Sequence, residues 1–206
     1  MSEASVFEGS LKPRPALAGL LQPGRYGAPR GAAGVRIAPE TGLSLATLSA
    51  RSGHEDALRA AVRGAFGAEL SNQPRVAAGD GISFVWAGSG SWLALRQGDD
   101  LEPTLRDRLG AHATVTDQSD GRTVLRVDGP RSRDMLTKGL PIDLHPRSFG
   151  PDDVALTHLA HVGVQIWQID DVPSFRLSVL SGYARSTLAF MLEAGAEYAL
   201  DLVVAT

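Results

Sequence analysis

The segment PIDLHPRSFGP (141–151) concentrates side chains that do chemistry. Asp143 and His145 stand two residues apart, so on an extended chain both point the same way, and a carboxylate placed there can tune an imidazole for acid–base work. Arg147 follows two residues later. The same stretch also reads as a rigid joint. Pro141, Pro146 and Pro151 each fix their own φ and hold the preceding residue (Leu140, His145 and Gly150) away from helical geometry. In that reading Leu144 and Phe149 plug a core, and the polar residues tie down backbone groups. No serine with an activating partner accompanies the histidine, and one loop cannot supply a triad. We therefore assign Pro141, Pro146 and Phe149 to the loop's structure and no residue to catalysis. His145 and Arg147 remain candidates for contact with a ligand or a partner.

Four further patterns invite a chemical reading. GPRSR (129–133) lies between a strand and a helix start, where Arg131 and Arg133 could receive a phosphate or carboxylate. Asp128 and Asp134 flank them and can neutralise them instead. In HLAH (158–161) two histidines three apart would share a face on a helix, but the surrounding pattern is that of a strand, which turns them to opposite faces. A zinc site needs a third ligand that the spacing does not offer. GSGSW (88–92) has Leu93 after it and leads into a strand, so it lacks both the third glycine and the helix of a dinucleotide fingerprint. Trp86, Trp92 and Trp167 could stack a flat ligand, or simply fill a core.

The elements that must position these residues follow from periodicity. LSLATLSA (43–50) alternates as a strand, and HEDALRAAVRGAF (54–66) carries a helical stripe with Ser52 and Glu55 spaced as a capping box. ISFVWAG and SWLALRQ form a hairpin, and LEPTLRDRLG (101–110) forms a short helix ended by Gly110. HATVTDQSDGRTVLRVDG reads as a second hairpin turning at Asp120-Gly121, followed by a helix opened at Pro130. Three strands and a last helix (183–200) complete the chain. The order strand, helix, hairpin, helix occurs twice, which predicts an α+β fold of duplicated ferredoxin-like units. The domain plan is an extended N-terminal arm over 1–42 and one α+β domain over 43–206, made of two similar halves (about 43–118 and 122–206). The arm holds five of the 12 prolines and seven of the 23 glycines, yet it also carries leucines that a free linker would not need.

Composition bounds the function. The 206 residues carry 20 basic and 23 acidic side chains, a formal net charge of −3, which gives no broad attraction for nucleic acid. The absence of cysteine excludes disulfides, thiolate metal sites and a cysteine nucleophile. No secretory signal opens the sequence and no apolar run is long enough to cross a bilayer, so a cytoplasmic protein without a membrane partner is expected.

Two stretches carry a family resemblance. GPRSRDMLTKGLPIDLHPRSFGPDDVALTHLAHVGVQIWQ (129–168) and FRLSVLSGYARSTLAFMLEAG (175–195) resemble the gamma subunit of heterotetrameric sarcosine oxidase. That family is distantly similar to the folate-binding aminomethyltransferases, such as the T-protein of glycine cleavage, which share a duplicated α+β arrangement and a related loop. The resemblance implies a non-catalytic accessory subunit. Its complex demethylates sarcosine oxidatively to glycine, with one-carbon transfer to tetrahydrofolate as co-substrate. It implies alpha, beta and delta subunits as partners, with FAD, FMN and NAD in the alpha and beta subunits, zinc in the delta subunit, and no cofactor in this chain. The alternative is an autonomous folate-binding protein or aminomethyltransferase-like one-carbon protein. T-proteins are considerably longer, with a further C-terminal domain, which weighs against it.

Overall fold

A computed structural model describes residues 16–19, 21–27 and 31–204. Of the stretch read as an extended arm, residues 1–15, 20 and 28–30 lie outside the described residues, as do 205–206 at the other end. The arm's remainder supplies two strands, β1 (Gly24–Tyr26) and β2 (Val35–Pro39). The chain continues through β3 (Leu43–Ala50), α1 (Glu55–Phe66), β4 (Val76–Gly79), β5 (Ile82–Gly88), β6 (Ser91–Gln97), α2 (Leu101–Leu109) and β7 (Ala113–Asp117). It then forms β8 (Arg122–Asp128), α3 (Ser132–Thr137), β9 (Val154–Leu159), β10 (Val162–Asp170), β11 (Ser174–Leu180), α4 (Ala184–Gly195) and β12 (Leu200–Leu202).

The strands make two sheets, ordered β4-β5-β6-β3-β7 and β1-β12-β2-β8-β11-β10-β9. Within the first, β5-β6-β3-β7 is the ferredoxin-like order, with β4 added at the edge. The second repeats it: β9 matches β4, β10 and β11 match β5 and β6, β8 matches β3, and β12 matches β7. The symmetry breaks at two places, for β1 is added beyond β12 at the edge and a second strand intrudes inside the sheet. Strand β2, from the N-terminal segment, is inserted between β8 and β12, antiparallel to the first and parallel to the second.

Side-chain alternation explains the layers. Ala46, Leu48, Phe84, Trp92 and Ala94 face α1 and α2, whose Leu58, Val62, Leu101 and Leu105 meet them. Leu125, Val127, Ile166, Phe175 and Leu177 face α3 and α4. The opposite faces, with Leu45, Val85, Leu93, Val124 and Trp167, pack against each other. Helices thus cover the outside of two sheets that share an inner core.

At their edges the sheets are stitched together. Arg75 and Asp153 form an antiparallel bridge: the Val76 N–H donates to the Asp152 carbonyl at 2.8 Å, and the Val154 N–H donates to the Pro74 carbonyl at 2.9 Å. The Trp86 N–H reaches the Arg75 carbonyl, and the Gln168 N–H reaches the Asp153 carbonyl, each at 3.2 Å. The two halves therefore correspond at Arg75 and Asp153, and at Trp86 and Gln168.

Three local expectations need correction. The stretch 112–129 is not a hairpin: β7 pairs with β3 across five residues, whereas β8 pairs with β11 and β2. Asp120-Gly121 is the passage from one sheet to the other, because each flanking strand finds a partner far along the chain. The capping box at Ser52 does not form. A turn in which the His54 N–H bonds the Arg51 carbonyl, with Gly53 at φ 75, places Ser52 ahead of the helix and makes His54 its N-cap. The helix expected to open at Pro130 begins at Ser132, with Arg131 as N-cap.

Candidate functional site

Arg133 leaves the first turn of α3 and passes beneath the 141–151 loop. Its Nη1 donates to the carbonyls of Leu144 and Phe149, the latter at 3.3 Å, and its Nη2 donates to Gln168 Oε1 at 2.8 Å. The guanidinium lies 5.1 Å from the Phe175 ring centre, a cation–π arrangement. Gln168 is 1% exposed and turns its amide to the Asp170 carbonyl at 2.6 Å. Burial draws the Arg133 pKa below the usual arginine value. Its donors satisfy carbonyls that the proline-rich loop leaves without a ladder partner. Leu144 and Phe149 are buried on either side, and Phe149 stacks on Phe175 with ring centres 6.5 Å apart. Pro141 and Pro146 are exposed and act on the backbone alone.

The polar residues of the loop hold one another. Asp143 Oδ1 accepts the His145 N–H at 2.8 Å, and Oδ2 accepts the Ser148 hydroxyl at 2.7 Å. The Ser148 bond first, then the His145 amide, hold this carboxyl below the ordinary aspartate range. His145 Nδ1 accepts the Arg147 N–H at 3.2 Å, which leaves the ring proton of the neutral form on Nε2. No hydrogen bond joins the Asp143 carboxylate to the imidazole. The pair suggested by spacing is therefore a local turn rather than an acid–base dyad. The outer edge of His145 and the Arg147 side chain are exposed.

Arg131 turns away from Arg133. It pairs with Asp134 at 2.9 Å and lies over the Tyr198 ring at 4.9 Å. Lys138 sits 4.6 Å from the same ring, pairs with Glu197, and donates to the Ala194 carbonyl near the end of α4. Gly129 sits at φ 114, and a Cβ there would fall 2.6 Å from the Gly34 carbonyl oxygen, so the strand-to-helix passage admits no side chain. His158 lies on β9 and His161 in the two-residue turn to β10, both exposed. Among the described residues no three histidine or acidic side chains gather to hold a metal ion.

The tryptophans divide. Trp86 and Trp92 pair directly across β5 and β6, and Trp92 Nε1 donates to the Ser71 carbonyl at 3.3 Å. Trp167 fills the core between the sheets. Two residues that sequence reasoning passed over, Gln165 and Gln168, carry the buried polar bonds around them. Glutamine on an otherwise apolar central strand was the available signal, since a buried amide needs partners.

A family model described as the sarcosine oxidase, gamma subunit family matches residues 51–197. The sarcosine oxidase subunit gamma of Corynebacterium sp. (strain U-96) is 31% identical over 166 residues, 79% of this chain and 78% of the relative. That of an Arthrobacter species is 30% identical over 171 residues, 81% of each. Among solved structures, a chain of the heterotetrameric sarcosine oxidase from Corynebacterium sp. U-96 matches with a TM-score of 0.74 and 28% identity, covering 84% of this chain and 88% of that one. The glycine cleavage system aminomethyltransferase T from Bartonella henselae matches with a TM-score of 0.60 at 12% identity, over 83% of this chain and 48% of that chain, a likeness of fold.

Proposed function

The chain belongs to the sarcosine oxidase gamma subunit family, and we propose on that basis that it is the accessory gamma subunit of a heterotetrameric sarcosine oxidase. The observation that carries this is the agreement of fold with a chain of such an oxidase over most of both chains. The loop geometry supports an accessory role. The residues most suited to chemistry, Asp143, His145 and Arg133, are engaged with the backbone of their own chain. The reaction is the oxidative demethylation of sarcosine to glycine, with the one-carbon unit passed to tetrahydrofolate, and it belongs to the assembled complex.

The finer assignments are part of the proposal. Alpha, beta and delta subunits are the partners, FAD, FMN and NAD reside in the first two, zinc resides in the third, and the complex is cytoplasmic. The exposed side chains of His145 and Arg147, together with Arg131, meet a partner subunit, and Arg133 sets the loop's shape from below. The aminomethyltransferase likeness rests on fold alone and adds no activity to this chain. Co-expression with the other oxidase subunits, followed by size-exclusion chromatography, tests the reading. The chain should elute with the flavin absorbance of the complex, and elution as a separate species would reject the role.

A further inference from the structure

The sheets part at one end. There β2 gives way to Glu40, β8 begins at Arg122, β11 runs into Ser181 and the chain beyond β12 reaches Val204. Between these ends and the start of β3 lies a cavity of about 530 Å³, within the roughly 300–1,000 Å³ of small-molecule sites. Leu17, Leu21, Leu43, Leu45 and Val124 make much of its wall.

Three charged side chains line it: Asp120, which is exposed, and the pair Glu40 and Arg122. Glu40 Oε1 accepts from Arg176 Nε at 2.8 Å, while its Oε2 is buried with no hydrogen-bond partner among the described residues. Arg122 Nη1 donates to Ser178 Oγ at 3.3 Å, while its Nε is likewise buried without a partner among them. Arg122 forms no ion pair with a described carboxylate, and burial draws its pKa below the usual arginine value. The two lie on one face. The Glu40 N–H bonds the Val124 carbonyl, Val124 pairs with Ser178 on β11, and Arg122 is two residues along β8. A buried polar atom left unpaired has lost its water without a replacement bond, so an unpaired acceptor and an unpaired donor in one cavity call for a complement. The other buried atoms without partners, on Trp86, Asp170 and Thr187, do not line this space.

We propose that this cavity binds a small organic anion with an apolar body and one hydrogen-bond donor: the anionic group meets Arg122 Nε, the donor meets Glu40 Oε2, and the body lies along the leucines. The inference is independent of the subunit role, since it concerns the interior of this chain.

The probe 1-anilinonaphthalene-8-sulfonate has these three features, an aryl body, a sulfonate and an amine N–H. Titrated into the full chain, it should show one saturable site per chain by fluorescence. Arg122→Met should weaken it about tenfold, the loss of one charge-assisted bond, while leaving the neutral analogue N-phenyl-1-naphthylamine unaffected. Leu43→Trp, which fills the cavity, should abolish binding of both probes, and Arg108→Met on the exposed face of α2 should change neither. Should Leu43→Trp fail to fold, Arg122→Met with the two probes carries the test alone. Unsaturable binding, or equal sulfonate affinity in wild type and Arg122→Met, overturns the proposal.

Discussion

Gln165, on the central part of β10, donates its Nε2 hydrogen to the Trp86 carbonyl of β5 at 2.7 Å, across the space between the two sheets. It is 3% exposed, and its second contact is the Val85 carbonyl at 3.4 Å. The Trp86 carbonyl lies beside an irregularity in the β5–β6 register, where the ladder skips from Trp86 to Gly88. A side chain from the other half therefore satisfies a backbone group of the first. Gln165→Leu should lower stability by about 1–3 kcal/mol, because it keeps volume but leaves the carbonyl unpaired. Gln165→Glu should be worse, since it opposes two acceptors. Urea denaturation measures both, and a wild-type midpoint for Gln165→Leu would remove the bond's importance.

Arg133→Met keeps the aliphatic stem and loses every donor to the 141–151 loop. The expected cost is about 2–4 kcal/mol, from two carbonyls and one amide oxygen left under-satisfied in a partly buried site. Limited proteolysis should cut the variant within the loop faster than the wild type. Unchanged cleavage together with an unchanged melting temperature would show that the loop holds itself.

The loop should also respond to acid. Asp143 has a folded-state pKa below its unfolded value, through Ser148 first and the His145 amide second. Its contribution is complete above the ordinary aspartate range and is lost as pH falls through the lowered value. The protection factor of the His145 amide, its exchange rate corrected for the intrinsic pH dependence of amide exchange, should therefore fall on acidification in the wild type. Asp143→Asn should be less protected at neutral pH and show little further change in protection. A parallel pH profile in the two proteins would contradict the assignment.

Gly139 supports the other end of the loop. A Cβ there would fall 2.5 Å from the tip of the Phe190 ring and 3.0 Å from a Leu159 methyl. Gly139→Ala should destabilise by about 1–3 kcal/mol through overpacking. Phe190→Leu should recover part of that loss in the double variant, a coupling that a thermodynamic cycle measures. Additive effects would mean that the clash is relieved elsewhere.

What the sequence disclosed follows from the range of the interactions. Strands β3, β5 and β6 and helix α1 were legible because their patterns repeat over seven or more residues and their hairpin partner is next in line. Asp120-Gly121 misled because a tight turn between two alternating segments looks the same whether they pair together or with strangers. Strand β2 was hidden in a glycine- and proline-rich context, and its neighbours β8 and β12 lie far along the chain. The same holds at the loop. The bonds within 143–148 obey short spacings, whereas Arg133 finds partners 11, 16 and 35 residues away. Nothing in local pattern specifies those distances.

The insertion of β2 sets a timetable for synthesis. All five strands of the smaller sheet have left the ribosome by residue 117, so it can assemble while translation continues. Residues 35–39 meanwhile have no neighbour until 122–128 appears, and their second flank stays bare until 200–202 emerges. A strand made among the first is completed among the last, and in the nascent chain it is the segment that a chaperone would find waiting.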